Sequence, residues 1–166
     1  LEKNKHLVIY GDYDADGASA TAIGVLGLRK LGAHVDYFIN NRFDHGYGIK
    51  PEGVDDLLKA YPTVDMIITV DNGIVAYEGI DYANEKGIDV IVTDHHDPHP
   101  SGKMPNALAI INPKRPGDEY PFKGICGATV IHKFMLALYW EMDEALDYVD
   151  DMMDIVGMAT IGDMMP

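Results

Sequence analysis

Apolar residues in this chain fall into short unbroken blocks separated by stretches of helical period. His6–Tyr10, His34–Ile39, Met66–Val70, Asp89–Thr93 and Ala107–Ile111 are each five or six residues long and rich in Val, Ile and aromatics. Continuous apolar runs of that length predict strands buried on both faces, as in a parallel sheet. Between them the period changes to that of a helix. One helix is predicted from about Ala18 to Leu31, closed by Gly32 just past its end. Pro51 opens another, with Val54, Leu57, Leu58 and Tyr61 on one face, and Pro62 stops it. A weaker one runs from about Val75 to Lys86 and ends at Gly87. The last third is helical: Gly127 to about Trp140, then about Asp143 to Ala159 with Ala145, Tyr148, Val149, Met152 and Val156 on its apolar side. Alternating strands and helices predict an α/β domain, doubly wound around a mainly parallel five-stranded sheet, with helices on both faces and a helical carboxyl-terminal third.

The polar residues at the strand ends change the picture from fold to chemistry. The first strand runs into Gly11-Asp12-Tyr13-Asp14-Ala15-Asp16-Gly17, the third into Asp71-Asn72-Gly73, and the fourth into Asp94-His95-His96. Ligands of open α/β sheets bind outside the carboxyl ends of the strands, so these groups share an edge. Each has an ordinary reading when taken singly: a solvated acidic turn, a turn-forming aspartate, a histidine satisfied by its surroundings. Three carboxylates within five residues repel one another, however, and cations relieve that repulsion. The loop is not an EF-hand, because the twelfth position counted from Asp12 is Ile23 where a bidentate Glu is required. It is no phosphate-cradling glycine loop either, since it offers negative charge rather than backbone N–H groups. Asp163, in the small-residue segment Ala159–Asp163, adds a further acid. Mixed Asp and His donors suit a pair of divalent ions, Mn²⁺ ahead of Ca²⁺, with Mg²⁺ the alternative.

Charge points away from an easy grip on nucleic acid. Thirteen Lys and Arg stand against 27 Asp and Glu, a net −14. Neutralising the aspartates at 12, 14, 16, 71, 94 and 163 leaves −8, whereas polyanion binders carry a basic footprint. Affinity for a polyanion must then come from metal ions and from chain beyond these 166 residues. The start at Leu1 and stop at Pro166 read as a fragment of a longer protein. No run reaches the roughly 18 apolar residues of a membrane span, which makes the cytoplasm the expected location. The single Cys126 has no internal disulfide partner and sits in an apolar helix-opening segment, the setting of a buried structural thiol.

The motifs GDYDADG at 11–17, TVDNG at 69–73, TDHH at 93–96 and ATIGDMMP at 159–166 resemble, in order and placement, the four motifs of the DHH phosphoesterase superfamily. Asn41-Arg42, Gly46-Tyr47-Gly48 and the stretch Ile110–Ala128 resemble its RecJ-type branch, single-strand-specific DNA exonucleases. Superfamily members acting on pyrophosphate or on short and cyclic oligonucleotides usually open the first motif with a histidine, where this chain has Tyr10.

The resemblance implies a two-metal phosphodiester hydrolase acting 5′→3′ on single-stranded DNA and releasing mononucleotides, in DNA repair and recombination. It implies Asp14, Asp16, Asp71, His95 and Asp163 as metal ligands, with Asp71 bridging and Asp12 as a ligand or a support. Asp94 would orient a histidine, and His96 would contact the scissile phosphate or assist the leaving group. Arg42 would clamp phosphate, unless it pairs with Asp44; Tyr47 would stack on a base, unless it only fills its loop. Asn112 and Lys114 stay undecided between phosphate contact and loop structure. A second, carboxyl-terminal domain would close the substrate cleft. The competing expectations are another hydrolase of the superfamily, acting on short RNA, a cyclic dinucleotide or pyrophosphate, and a non-catalytic binding protein on the same fold.

Overall fold

The computed structural model describes residues 5–40 and 46–166. Five strands, β1 (Leu7–Gly11), β2 (Val35–Ile39), β3 (Met66–Val70), β4 (Asp89–Thr93) and β5 (Ala109–Ile111), form one sheet in the order β2-β1-β3-β4-β5. All neighbouring pairs are parallel, and the register keeps their carboxyl ends level: Gly11 pairs Ile39, Val70 pairs Thr93, and Thr93 pairs Ile111. The strand-end acids and histidines therefore leave the sheet along one edge.

Side chains of successive strand residues enter two separate cores. Leu7, Ile9, Ile68 and Val70 pack with residues of α1 (Ala15–Lys30), α4 (Gly127–Glu141), α5 (Asp147–Asp150) and α6 (Met153–Gly162), among them Ile23, Ile131, Met135, Val149 and Val156. Val8, Tyr10, Ile67, Val90 and Val92 pack with Val54 and Leu57 of α2 (Pro51–Ala60) and Ile80 and Ala83 of α3 (Tyr77–Glu85). Both faces are covered, and so both alternating sets of strand side chains are apolar. Burying each Ile or Leu among them contributes about 1.5–3 kcal/mol.

The chain steps outward from β1 to β2 through α1, then returns across β1 to place β3 on its other side. The direction of winding reverses between β1 and β3, which opens a crevice at their carboxyl ends. Asp12 follows one of these strands and Asp71 the other.

The elements depart from the expected boundaries in instructive places. Helix α1 begins at Ala15 rather than Ala18, because the Asp14 carboxylate caps it by accepting from Gly17 N at 2.8 Å. Strand β5 is two residues shorter than expected, although Leu108 N still bonds Val90 O at 2.8 Å. The expected single helix over Asp143–Ala159 is corrected to two, α5 and α6, broken at Asp151–Met152. Asp147, Asp150, Asp151 and Asp154 would stack at three- and four-residue spacing in one helix and repel. The tight turn at Met152 buries Met152 and Val149 and redirects α6 against α1. Cys126 is buried, its thiol pushed up in pKa by burial, which suits the structural role expected of it. No helix among the described residues is long and apolar enough to cross a membrane.

Candidate metal centre

His95 is the hub of the site. It follows β4, is almost fully buried, and its Nε2 lies 3.1 Å from Asp71 Oδ1, 3.6 Å from Asp16 Oδ2 and 3.7 Å from Asp163 Oδ2. One imidazole nitrogen can donate one hydrogen, so three converging carboxylates exceed what it can satisfy. Among the described residues, Asp71 Oδ1, Asp12 Oδ1 and His95 Nδ1 are buried with no hydrogen-bond partner. Donor atoms of Asp71, His95 and His96 lie within 4.8 Å of one another, as do those of Asp16, His95 and Asp163. Orphaned buried oxygens and a mixed carboxylate and imidazole donor set fit divalent cations.

The electrostatics agree. Burial raises the Asp71 carboxyl far above the ordinary carboxylate range, and the charges of Asp16 and Asp14 push it the same way. Asp12 is raised chiefly by its burial. Asp163 is raised by burial, with Asp16 and Asp14 adding to it. It also sits at the carboxyl end of α6, where the helix dipole is unfavourable to an anion. Asp71 takes up the left-handed backbone region, φ 61°, which aspartate tolerates better than most residues. These arrangements are costly without cations and reasonable with them.

Asp94 behaves differently. Its Oδ1 accepts from His95 N at 2.7 Å, His96 N at 3.1 Å and His96 Nδ1 at 2.8 Å, and its Oδ2 accepts from Ile74 N at 2.9 Å. Burial alone would raise it, but these bonds and the His96 charge outweigh that and hold it below the ordinary value. Asp94 is therefore fully engaged in shaping the turn that carries both histidines. Burial alone would lower His96, yet the bond to Asp94 and its charge leave it raised.

Asp14 is exposed and its Oδ1 caps α1, so among the described residues it is not within the tight donor groups, though its charge is felt at Asp71 and Asp163. Tyr47 meets the site directly: its hydroxyl donates to Asp71 O at 3.1 Å and stands 2.9 Å from His96 Nδ1. Asn112 is buried and structural, donating to His96 O at 2.9 Å and accepting from Lys114 N at 2.7 Å. Lys114 pairs with Asp97, Nζ to Oδ1 at 3.3 Å. Arg42, with Asn41 and Asp44, lies outside the described residues.

Two residues not singled out from the sequence complete the site. Gly127 N and Ala128 N, the first amides of α4, donate to Asp16 Oδ2 and Oδ1, so the helix amino terminus receives a carboxylate where its dipole favours one. Glycine immediately after an apolar Cys126 was the available signal. A separate group, His6, His34 and Asp36, lies at the opposite, amino-terminal edge of the sheet. There both His6 nitrogens are engaged, with Thr63 and Asp36 at 3.0 Å each, and its ring stacks on His34 at 4.1 Å. That cluster ties strands together.

The chain is similar to known proteins over its whole length. The chain is 39% identical over its whole length to the single-stranded-DNA-specific exonuclease RecJ of Bacillus subtilis, spanning 20% of that protein. It is 40% identical to the Escherichia coli protein of the same name, spanning 30% of it. A crystal structure of exonuclease RecJ bound to manganese superposes with a TM-score of 0.85 and 35% identity, covering all of this chain and 40% of that one. The family model described as "DHH family, N-terminal domain" matches residues 6–160, nearly the entire sequence and every acid and histidine of the hub except Asp163. With motif order, sheet topology and full-length similarity in agreement, the chain belongs to the DHH family.

Proposed function

We propose that this chain is the metal-binding part of a two-metal phosphodiesterase that degrades single-stranded DNA from its 5′ end to mononucleotides, in repair and recombination in the cytoplasm. The observation that carries the reading is the convergence of Asp71, Asp16 and Asp163 on His95 Nε2 beside orphaned buried oxygens. The whole-chain similarity to exonucleases bearing the name RecJ supplies the substrate class.

Asp14, Asp16, Asp71, His95 and Asp163 would hold two Mn²⁺ ions, or Mg²⁺ in their place, with Asp71 shared and Asp12 facing the same crevice. When bound, such ions supply Lewis acidity, making a water a competent nucleophile near neutral pH and stabilising charge on phosphate oxygens. The protein groups do the rest. Asp94 fixes His96 through Nδ1, which leaves Nε2 as the ring nitrogen for a phosphate or leaving oxygen. Tyr47 stands 3.2 Å from that nitrogen, where it can hold the ring or contact the terminal nucleotide. Arg42 is assigned to phosphate clamping by the same reading.

A second domain of the same protein would supply the basic surface that a chain of net charge −14 lacks. The test compares Mn²⁺-dependent release of mononucleotides from 5′-phosphorylated single-stranded DNA with turnover of a linear or cyclic dinucleotide, using the full-length protein. Preference for single-stranded DNA, abolished by Asp71→Asn, supports the reading. Preference for the dinucleotide, or no metal-dependent hydrolysis at all, overturns it.

A further inference from the structure

Tyr10, near the carboxyl end of β1, is completely buried, and its hydroxyl donates to Asn40 Oδ1 at 2.8 Å. Asn40, directly after β2, is buried as well. Its Nδ2 donates to two backbone carbonyls, Gly46 O at 3.1 Å and Gly48 O at 2.8 Å. Those two carbonyls flank Tyr47. Only the amide nitrogen can serve two acceptors, so the amide oxygen must face Tyr10, and the tyrosine hydroxyl must be the donor. Gly46 and Gly48 take φ of 67° and 74°, the left-handed region that glycine enters freely, so the chain can turn on both sides of Tyr47. Gly53 keeps room for the Tyr10 hydroxyl, since a Cβ there would stand 2.3 Å from it.

The line of contacts runs onward to the metal centre. Tyr47 donates to Asp71 O at 3.1 Å, and its ring meets His96 edge-on with centroids 5.3 Å apart. The same loop forms one wall of a cavity of about 260 Å³, whose other wall is the segment between Gly73 and Gly79. Every donor and acceptor named here is accounted for by a partner of complementary type, as a buried polar network requires.

We infer that Asn40, oriented by Tyr10, is a positioning residue for Tyr47: it fixes the loop that sets the Tyr47 hydroxyl between Asp71 and His96. The inference rests on the phosphodiesterase reading for its consequence in activity, though not for its geometry. Aspartate at position 40 has the same shape but no N–H to give, so both glycine carbonyls would lose their donor and a charge would enter a buried place. Tyr10 thereby acquires a function in the first motif that needs no metal: it holds the asparagine.

The test is a double-mutant cycle in the full-length protein with Mn²⁺, joining Asn40→Asp to Tyr47→Ala. Each single variant should lower kcat/KM on 5′-phosphorylated single-stranded DNA by about tenfold or more. The double variant should be no worse than Tyr47→Ala within about twofold, because Asn40 acts through Tyr47, and Mn²⁺ affinity should hold. Hydrogen exchange gives a readout free of activity: the amides around Tyr47 should lose protection in Asn40→Asp while those of β1 and β3 keep theirs. Additive losses, or unchanged protection of the loop, would overturn the inference. If Asn40→Asp does not fold, Tyr10→Phe, which removes one oxygen from a packed ring, carries the same cycle and the same exchange comparison. A wild-type protein inactive on single-stranded DNA would count against the proposed function, and the exchange comparison would still decide for or against the role of Asn40.

Discussion

Asp71 and Gly127 approach so closely that no side chain fits between them: a Cβ on Gly127 would stand 2.6 Å from Asp71 Cβ and 2.7 Å from its Oδ1. The amino terminus of α4 is thus pressed against the strand-end acid, while its first two amides hold Asp16. Gly127→Ala should destabilise the fold by about 1–3 kcal/mol through overpacking and weaken Mn²⁺ binding by displacing Asp71. Denaturant unfolding in chelator, followed by a Mn²⁺ titration, checks both. An alanine variant matching wild type in both would show that the two elements are not in this contact.

Asp71→Asn should have opposite effects with and without metal. Wild-type Asp71 is raised to about 10 by burial and by neighbouring acids, so above the ordinary carboxylate range the unfolded chain gives up a proton that the folded chain keeps, and stability falls as pH rises toward the folded-state value. Asparagine needs no proton to be neutral there, so it should stabilise the metal-free protein by about 1–3 kcal/mol at pH 8. The same change should abolish the stabilisation on adding Mn²⁺, which for the wild type follows binding to the native state and reaches about 2.7 kcal/mol at a hundred times Kd. Equal stability of variant and wild type in chelator would mean that the acid cluster carries no such strain.

Asp94→Asn separates support from ligation. The four hydrogen bonds to Asp94 all come from donors, and an amide replaces one acceptor oxygen with a further donor. Metal-dependent hydrolysis should fall by about 10–100-fold with the number of bound ions unchanged. Loss of an ion would instead identify Asp94 as a ligand.

Much of this could be read in the sequence because the governing interactions are local. Unbroken blocks such as Val90-Ile91-Val92 announce strands covered on both faces, and the acids after them share an edge simply because parallel strands end together. What escaped depends on distant partners. Asp16 is held by amides 111 and 112 positions away, and Asn40 takes its meaning from Tyr10 and from a loop that has no periodicity. The break between α5 and α6 was masked by an apolar spacing that continues through it, while the acidic crowding that favours the break lies on the polar side.

His132 supplies a pH dependence away from the metal centre. It is buried on α4, with Nε2 2.9 Å from Val149 O and Nδ1 without a partner among the described residues, and burial holds it below its ordinary value of 6.5. The unfolded chain therefore takes up a proton there first as pH falls, so this stabilisation is complete above about 6.5 and is lost progressively below it. Between pH 6.5 and 5 the wild type should lose stability more steeply than His132→Gln, by up to about 1.4 kcal/mol per pH unit for one proton. Parallel pH profiles for the two proteins in chelator would show that His132 does not carry this dependence.

On this reading the acids that follow β1, β3 and α6 meet the histidine after β4 to hold two divalent ions. Anomalous scattering at the manganese edge from crystals of the chain grown with Mn²⁺ would locate such ions. Two manganese peaks are expected among Asp14, Asp16, Asp71, His95 and Asp163, with Asp71 touching both. No peak there at saturating Mn²⁺, or peaks only on acids outside this group, would contradict it.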